Sequence, residues 1–255
     1  MGRPALVCAT LVLAGAALVA QAQQQTLRVA AAADLQPVLP GILKQFTAQT
    51  GIPAEASYKS SATLATAIIN GAPFDLFLAA DFSFPERVIA ARRAEERQPV
   101  AYARGTLVLW TRNGSEIGTL NMEALRDPAL KTISIANPQH APYGRAAEEA
   151  LKHLGVYDAV KSKLVVAENI AQAAQYADSG NADVGLISLT SALTPHMKLD
   201  GHYVEVPSGD YPPILQGAVV VKNAHGAQAA HRLLEFLGSP AIARELAAEG
   251  LEPAR

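Results

Sequence analysis

Apolar residues between Leu35 and Phe46 stand at i, i+3, i+4, i+7, i+8 and i+11 (Leu35, Val38, Leu39, Ile42, Leu43, Phe46), the spacing of one helix face. The pattern predicts an amphipathic helix with Asp34 as its N-cap and Gly51 near its stop. Leu27–Ala33, small and branched, reads as a strand before it, and Ile52–Tyr58 as a strand after it. Ser60-Ser61 then opens a second helix through Leu64, Ala67 and Ile68, which Asn70-Gly71 ends. Phe74–Leu78 is a short apolar run of the kind a covered parallel strand needs. The chain therefore opens as strand, helix, strand, helix, strand, a doubly wound α/β start.

Phe84–Ala94 predicts a helix, Pro99–Tyr102 leads into a strand over Thr106–Trp110, and Glu116–Leu130 carries loops and a short helix. The pattern then restarts. Thr132–Ala136 reads as a strand, Asn137–Pro142 as a loop, and Tyr143-Gly144 as a junction into a helix through Ala150-Leu151, with Gly155 its stop. Lys163–Val166 is a strand, Ile170–Ala177 a helix ended by Gly180, and Asn181–Ile187 a buried strand leading to Ser188. Helices through His231–Leu237 and Pro240–Glu249 close the chain. The second half is built like the first, since Gly71-Ala72-Pro73-Phe74-Asp75 and Gly180-Asn181-Ala182-Asp183 each precede a strand. The reading is two α/β lobes, residues 23–105 and 106–215, with 216–255 returning to the first. The connections lie near Ala103–Leu109 and Ile214–Val221, and Tyr211-Pro212-Pro213 forms a rigid loop at the crossover.

The N-terminus adds a destination. Arg3, an apolar run from Ala5 to Ala20 and the small-x-small site Ala20-Gln21-Ala22 predict a secretory signal peptide over residues 1–22, with an uncleaved membrane anchor as the alternative. Cys8, the only cysteine, lies inside it, so the mature chain has no thiol for a disulfide or metal site. Removing Arg3 leaves 20 basic against 23 acidic residues, a formal net charge of about −3. With no basic run and few aromatic residues, nucleic acid is excluded as a partner. The expectation is an exported, periplasmic protein.

Four strand-to-helix junctions stand out as places where a ligand could bind: Ala33-Asp34, Ser60-Ser61, Tyr143-Gly144 and Asn169-Ile170. They sit where open α/β sheets place ligands, and only Lys59 and Arg145 bring positive charge nearby. Helix N-termini and hydroxyls can hold a dehydrated oxyanion by hydrogen bonds alone. Two lobes closing over it would exclude water and strengthen each bond. The plainer reading of any one such serine is an N-cap. The six histidines show no metal-ligand spacing, and Asp75, Asp81 and Asp183 read as caps beside buried strands.

At these residues the chain resembles the periplasmic molybdate-binding proteins of ABC importers. The likeness rests on Val29–Leu35, Ser60-Ser61-Ala62-Thr63-Leu64, Asn70–Phe77, Ala79-Ala80-Asp81, Asn137–Gly144 and Gly185-Leu186-Ile187, in order along the mature chain. It implies a type II periplasmic-binding-protein fold and a monomer that is not an enzyme and needs no cofactor. The implied ligand is molybdate or tungstate, handed to an importer permease in the inner membrane. It also implies oxyanion contacts at Asp34, Ser61, Tyr143, Ile170 and Ser188: Ser61 through hydroxyl and amide, Tyr143 and Ile170 through backbone amides.

Two positions depart from that pattern. Many members have Ser or Asn where Asp34 stands, and a carboxylate ~4 Å from a dianion is repelled by roughly 8 kcal/mol at an effective dielectric near 20. Either Asp34 turns away to cap its helix, the expected case, or the ligand carries a proton that Asp34 accepts. Ser188 stands where some members place a tyrosine, and its shorter side chain reads equally as an ordinary strand-end serine. The competing functions are a receptor for another oxyanion (sulfate or a protonated phosphate-like ion), an exported hydrolase, an iron carrier and a cytoplasmic ligand-sensing domain. Against the hydrolase, Gly-x-Ser-x-Gly is absent. Against the iron carrier, the tyrosines are scattered; against the sensor stand the leader and the missing DNA-binding module.

Overall fold

The structure is a computed structural model that describes residues 25–254; the expected leader, with Cys8, lies outside the described residues. The chain runs β1 (Leu27–Ala32), a 3-10 turn (Ala33–Leu35), α1 (Leu39–Thr50), β2 (Ala54–Lys59), α2 (Ser61–Ile69), β3 (Leu76–Ala79), α3 (Ser83–Ala90) and β4 (Val100–Gly105). After β5 (Leu107–Arg112) and a 3-10 turn (Met122–Arg126) follow β6 (Ile133–Ala136), α4 (Pro142–His153), α5 (Tyr157–Val160), β7 (Leu164–Ala167), α6 (Ile170–Ser179) and β8 (Val184–Ser188). Then come α7 (Leu189–Ala192), α8 (Pro195–Asp200), β9 (Gly201–Glu205), β10 (Ile214–Val220), α9 (Ala227–Leu237), α10 (Pro240–Ala248) and β11 (Leu251–Glu252).

These strands form two sheets, one per lobe: β11-β4-β10-β3-β1-β2 and β7-β6-β8-β5-β9. In the first, β1 pairs in parallel with β2 and β3, while β10 runs antiparallel between β3 and β4. Its two faces follow the period of two along each strand. Val29, Ala31, Leu76, Leu78 and Val220 pack under α1, α9 and α10. Ala30, Phe77, Ala79 and Val219 pack under α2 and α3. The second sheet is closed over by α4 and α6 around fully buried Trp110, whose indole N–H donates to the Met197 carbonyl at 3.3 Å.

Only Thr106 separates β4 from β5, so the chain changes lobes within one residue; it returns through 206–213. The two crossings are tied together, since Val206 N–H donates to the Leu107 carbonyl at 3.0 Å and Leu107 N–H to the Tyr211 hydroxyl at 3.2 Å. Ile214–Val220, expected to be connector, is instead a central strand of the first sheet. Its apolar run reads equally as connector or strand until the sheet supplies two neighbours.

A second difference concerns Asp34. It caps no helix: α1 starts at Leu39 with Pro40 in its first turn, and no side chain caps it. A proline inside a helix clashes with the carbonyl four residues earlier and lacks an N–H, so Pro40 is tolerated only at the start. Residues 33–35 therefore form a separate 3-10 turn, and the Asp34 carboxyl is left pointing elsewhere.

Candidate functional site

The carboxyl ends of β1, β2, β6 and β7 face the gap between lobes, and each delivers a turn or helix N-terminus there. The first amides of a helix have no acceptor inside it. In α2, Ser60 is the N-cap and accepts Thr63 N–H at 3.2 Å, while Ala62 N–H donates across the cleft to the His140 carbonyl at 3.1 Å. In α6, Asn169 accepts Gln172 N–H at 3.0 Å. In α4, Pro142 occupies the first turn and has no N–H to place. The Ser61, Tyr143 and Ile170 amides take no such partner among the described residues.

Ser61, Tyr143, Ile170 and Asp34 are among the residues lining one cavity of about 10 Å³, together with Ala32 and Ala80. That volume admits roughly one water. Ser61 Oγ accepts Ala80 N–H at 3.1 Å, which leaves its O–H free to donate into the cavity. Two larger interlobe grooves, about 590 and 570 Å³, adjoin the lining at Asn169 and Pro142.

Asp34 is fully buried. Its Oδ2 accepts from the Tyr143 hydroxyl of the other lobe at 3.3 Å and from Gln216 Nε2 on β10, while Oδ1 has no partner among the described residues. Its carbonyl accepts from the Thr190 hydroxyl at 2.7 Å. Burial pushes the carboxyl up to about 6, and the Gln216 and Tyr143 hydrogen bonds only partly offset that rise. Burial, reinforced by the nearby Asp34 charge, holds the phenols of Tyr143 and Tyr102 well above their ordinary value. A β-bulge at Gln216/Gly217 breaks the β4–β10 register, the kind of irregularity that re-aims a side chain. At the cleft mouth Arg145 pairs with Asp81 of the first lobe and lies 5.3 Å from the Phe84 ring.

A family model described as bacterial extracellular solute-binding protein matches residues 27–252. The chain belongs to that family. Two relatives of this solute-binding protein are molybdate-binding proteins ModA. The one from Azotobacter vinelandii is 36% identical over 237 residues, 92% of this chain and 94% of its own. The one from Rhodobacter capsulatus is 36% identical over 195 residues, 76% of this chain and 75% of its own. The solved Azotobacter vinelandii periplasmic molybdate-binding protein superposes with a TM-score of 0.82 at 31% identity, covering 88% of this chain and 98% of that one. The two-lobed type II periplasmic-binding-protein fold is thus this protein's fold.

Within this solute-binding protein, four of the five expected contact residues surround the cavity: Asp34, Ser61, Tyr143 and Ile170. Ser188 does not. It is fully buried as the N-cap of α7, accepting Ser191 N–H at 3.3 Å, with its hydroxyl 2.9 Å from both Thr190 Oγ1 and Ser191 Oγ. Those bonds occupy the hydroxyl, so it reaches the cavity only through Thr190 and the Asp34 carbonyl. Gln216 and Thr190 are hydrogen-bond partners of Asp34 that the sequence pattern does not predict. A lone amide inside the apolar run Ile214–Val220 is the available signal for Gln216. Among the described residues no cluster of three or more His, Asp or Glu side chains could hold a metal ion, and no helix is long and apolar enough to cross a membrane.

Proposed function

We propose that this protein binds molybdate, or its analogue tungstate, in the periplasm and delivers it to an ABC importer permease in the inner membrane. It acts as a monomeric carrier, not an enzyme, and uses no cofactor. One observation carries this reading: Ser61, Tyr143 and Ile170, which come from both lobes and stand at helix starts with unpaired amides, line one cavity that has no lysine or arginine in its lining among the described residues. Such a site suits a small, fully ionised anion whose charge is met by dipoles rather than by a counter-ion. The molybdate-binding relatives, matched over nearly the whole chain, support the choice of anion.

Calorimetric titration with molybdate, tungstate, sulfate and phosphate tests it. Heat of binding is expected for the first two; silence from both ends the reading. Ligand at about 100 times Kd should stabilise the fold by about 2.7 kcal/mol. At about 2–4 °C per kcal/mol for a chain of this size, that raises Tm by roughly 5–10 °C. A phosphate-like ion that keeps a proton is the second reading, because a charged Asp34 with a free Oδ1 would accept it; phosphate binding without molybdate binding would select it.

Ser61→Ala is expected to raise the molybdate Kd about 10- to 100-fold. It removes a hydrogen bond to a charged ligand of about 1.5–3 kcal/mol and leaves Ala80 N–H without its acceptor. An unchanged Kd in the same titration would place the ion elsewhere.

A further inference from the structure

Asp34 lines the same cavity as Ser61, Tyr143 and Ile170, and its two carboxyl oxygens are in different states. Oδ2 accepts two donors, the Tyr143 hydroxyl and the Gln216 amide N–H. Oδ1, equally buried, has no partner among the described residues. Gln216 Nε2 donates to Oδ2, and the Gln216 Oε1 beside it is also buried without a partner among the described residues. The oxygen with no donor of its own, Oδ1, is the one left to carry a proton.

A charged carboxylate there would repel an incoming dianion across a water-poor gap. Among the described residues no lysine or arginine lines the cavity. Asp34 is faced by the phenols of Tyr143 on α4 and Tyr102 on β4, the Gln216 amide on β10 and the Thr190 hydroxyl on α7. Lys59 at the end of β2 is exposed and makes no bond to it; Asp178 on α6 is paired with His196, and Arg145 on α4 with Asp81. Burial has already made the carboxyl easy to protonate near neutrality.

We propose that Asp34 binds the oxyanion as a neutral carboxylic acid whose Oδ1–H donates to one ligand oxygen, so that each dianion is taken up together with one proton from solvent. The step forms one O–H bond on Asp34 and breaks none in the ligand, which stays a dianion. Asp34 thereby becomes a binding residue for fully ionised anions, where a permanently charged carboxylate would accept only a protonated one. This inference rests on the oxyanion reading of the same site.

The test is calorimetry of the purified protein with molybdate from pH 6 to pH 9, in buffers of different ionisation enthalpy. The expected result is uptake of about one proton per molybdate at pH 8. Apparent Kd should rise about tenfold per pH unit once Asp34 is ionised in the free protein. Asp34→Asn, which donates an N–H without titrating, should show a Kd flat within about threefold and proton uptake near zero. Molybdate binding by the wild type with no proton uptake overturns this proposal alone, and needs no variant to be read. The same slope in Asp34→Asn also overturns it, since the proton then lies elsewhere. No heat with molybdate or tungstate at any pH removes the oxyanion reading and this inference together.

Discussion

Gly144→Ala is expected to lower stability by about 1–3 kcal/mol and to raise the molybdate Kd at least tenfold. A Cβ at Gly144 would lie 2.8 Å from the carbonyl carbons of Ala136 and Asn137, and closer still to the Ala136 oxygen. All three are backbone atoms at the end of β6, which no rotamer change can move aside. The residue's backbone is ordinary helix, so the requirement is one of space alone: α4 rests directly on the strand end. Forcing a methyl between them costs what overpacking usually costs, about 1–3 kcal/mol, and pushes the start of α4 outward. That start carries the Tyr143 amide and anchors the hydroxyl that reaches Asp34. Losing one hydrogen bond to a charged ligand is worth about 1.5–3 kcal/mol, or roughly 10- to 100-fold in Kd. Urea unfolding and calorimetry on the same preparation read both effects. A variant within about 0.5 kcal/mol of wild type that binds normally would show that α4 is not pinned to β6.

Asp34→Asn should stabilise the ligand-free protein by up to about 3 kcal/mol at pH 8 and have no effect near pH 3. The carboxyl is pushed from 3.8 up to about 6 by burial in the folded chain. At about 1.36 kcal/mol per pKa unit, that difference of about two units sets the magnitude. The sign follows from proton binding. Between about pH 4 and pH 6 the folded state holds the proton and the unfolded state has lost it, so stability falls as pH rises through this window and levels off above it. Asparagine removes the buried charge while its carbonyl still accepts from Tyr143 and Gln216. Tm in the neutral range should rise by up to roughly 10 °C. Urea unfolding of both proteins at pH 8 and pH 3.5 checks this; equal stability at both would mean that ionising Asp34 costs the fold nothing. The same residue thus costs stability without ligand and, protonated, serves binding.

The local features are legible in the sequence, and for local reasons. The Leu35–Phe46 stripe, the Ser60 cap, Asn169 before Ile170 and the left-handed Gly180 after α6 all act within one or two helical turns. Asp34 misleads because its spacing before an apolar stripe imitates an N-cap; Pro40 decides where the helix starts. Ser188 misleads because its position matches a contact site, while Thr190 and Ser191, two and three residues on, claim its hydroxyl. The Arg145–Asp81 pair cannot be read at all, since each residue lies at its own lobe's cleft edge and only closure joins them.

Two α/β lobes, and the strand ends that carry helix starts, follow from the amino-acid sequence without further help, because apolar period and capping chemistry are written in neighbouring residues. The surroundings of Asp34 come from tertiary structure alone. Tyr143 is 109 positions away and Gln216 is 182. They meet the carboxyl because β10 inserts between β3 and β4 and because the second lobe closes on the first. Strand order and lobe closure are settled by packing across the whole molecule, and no local pattern encodes them.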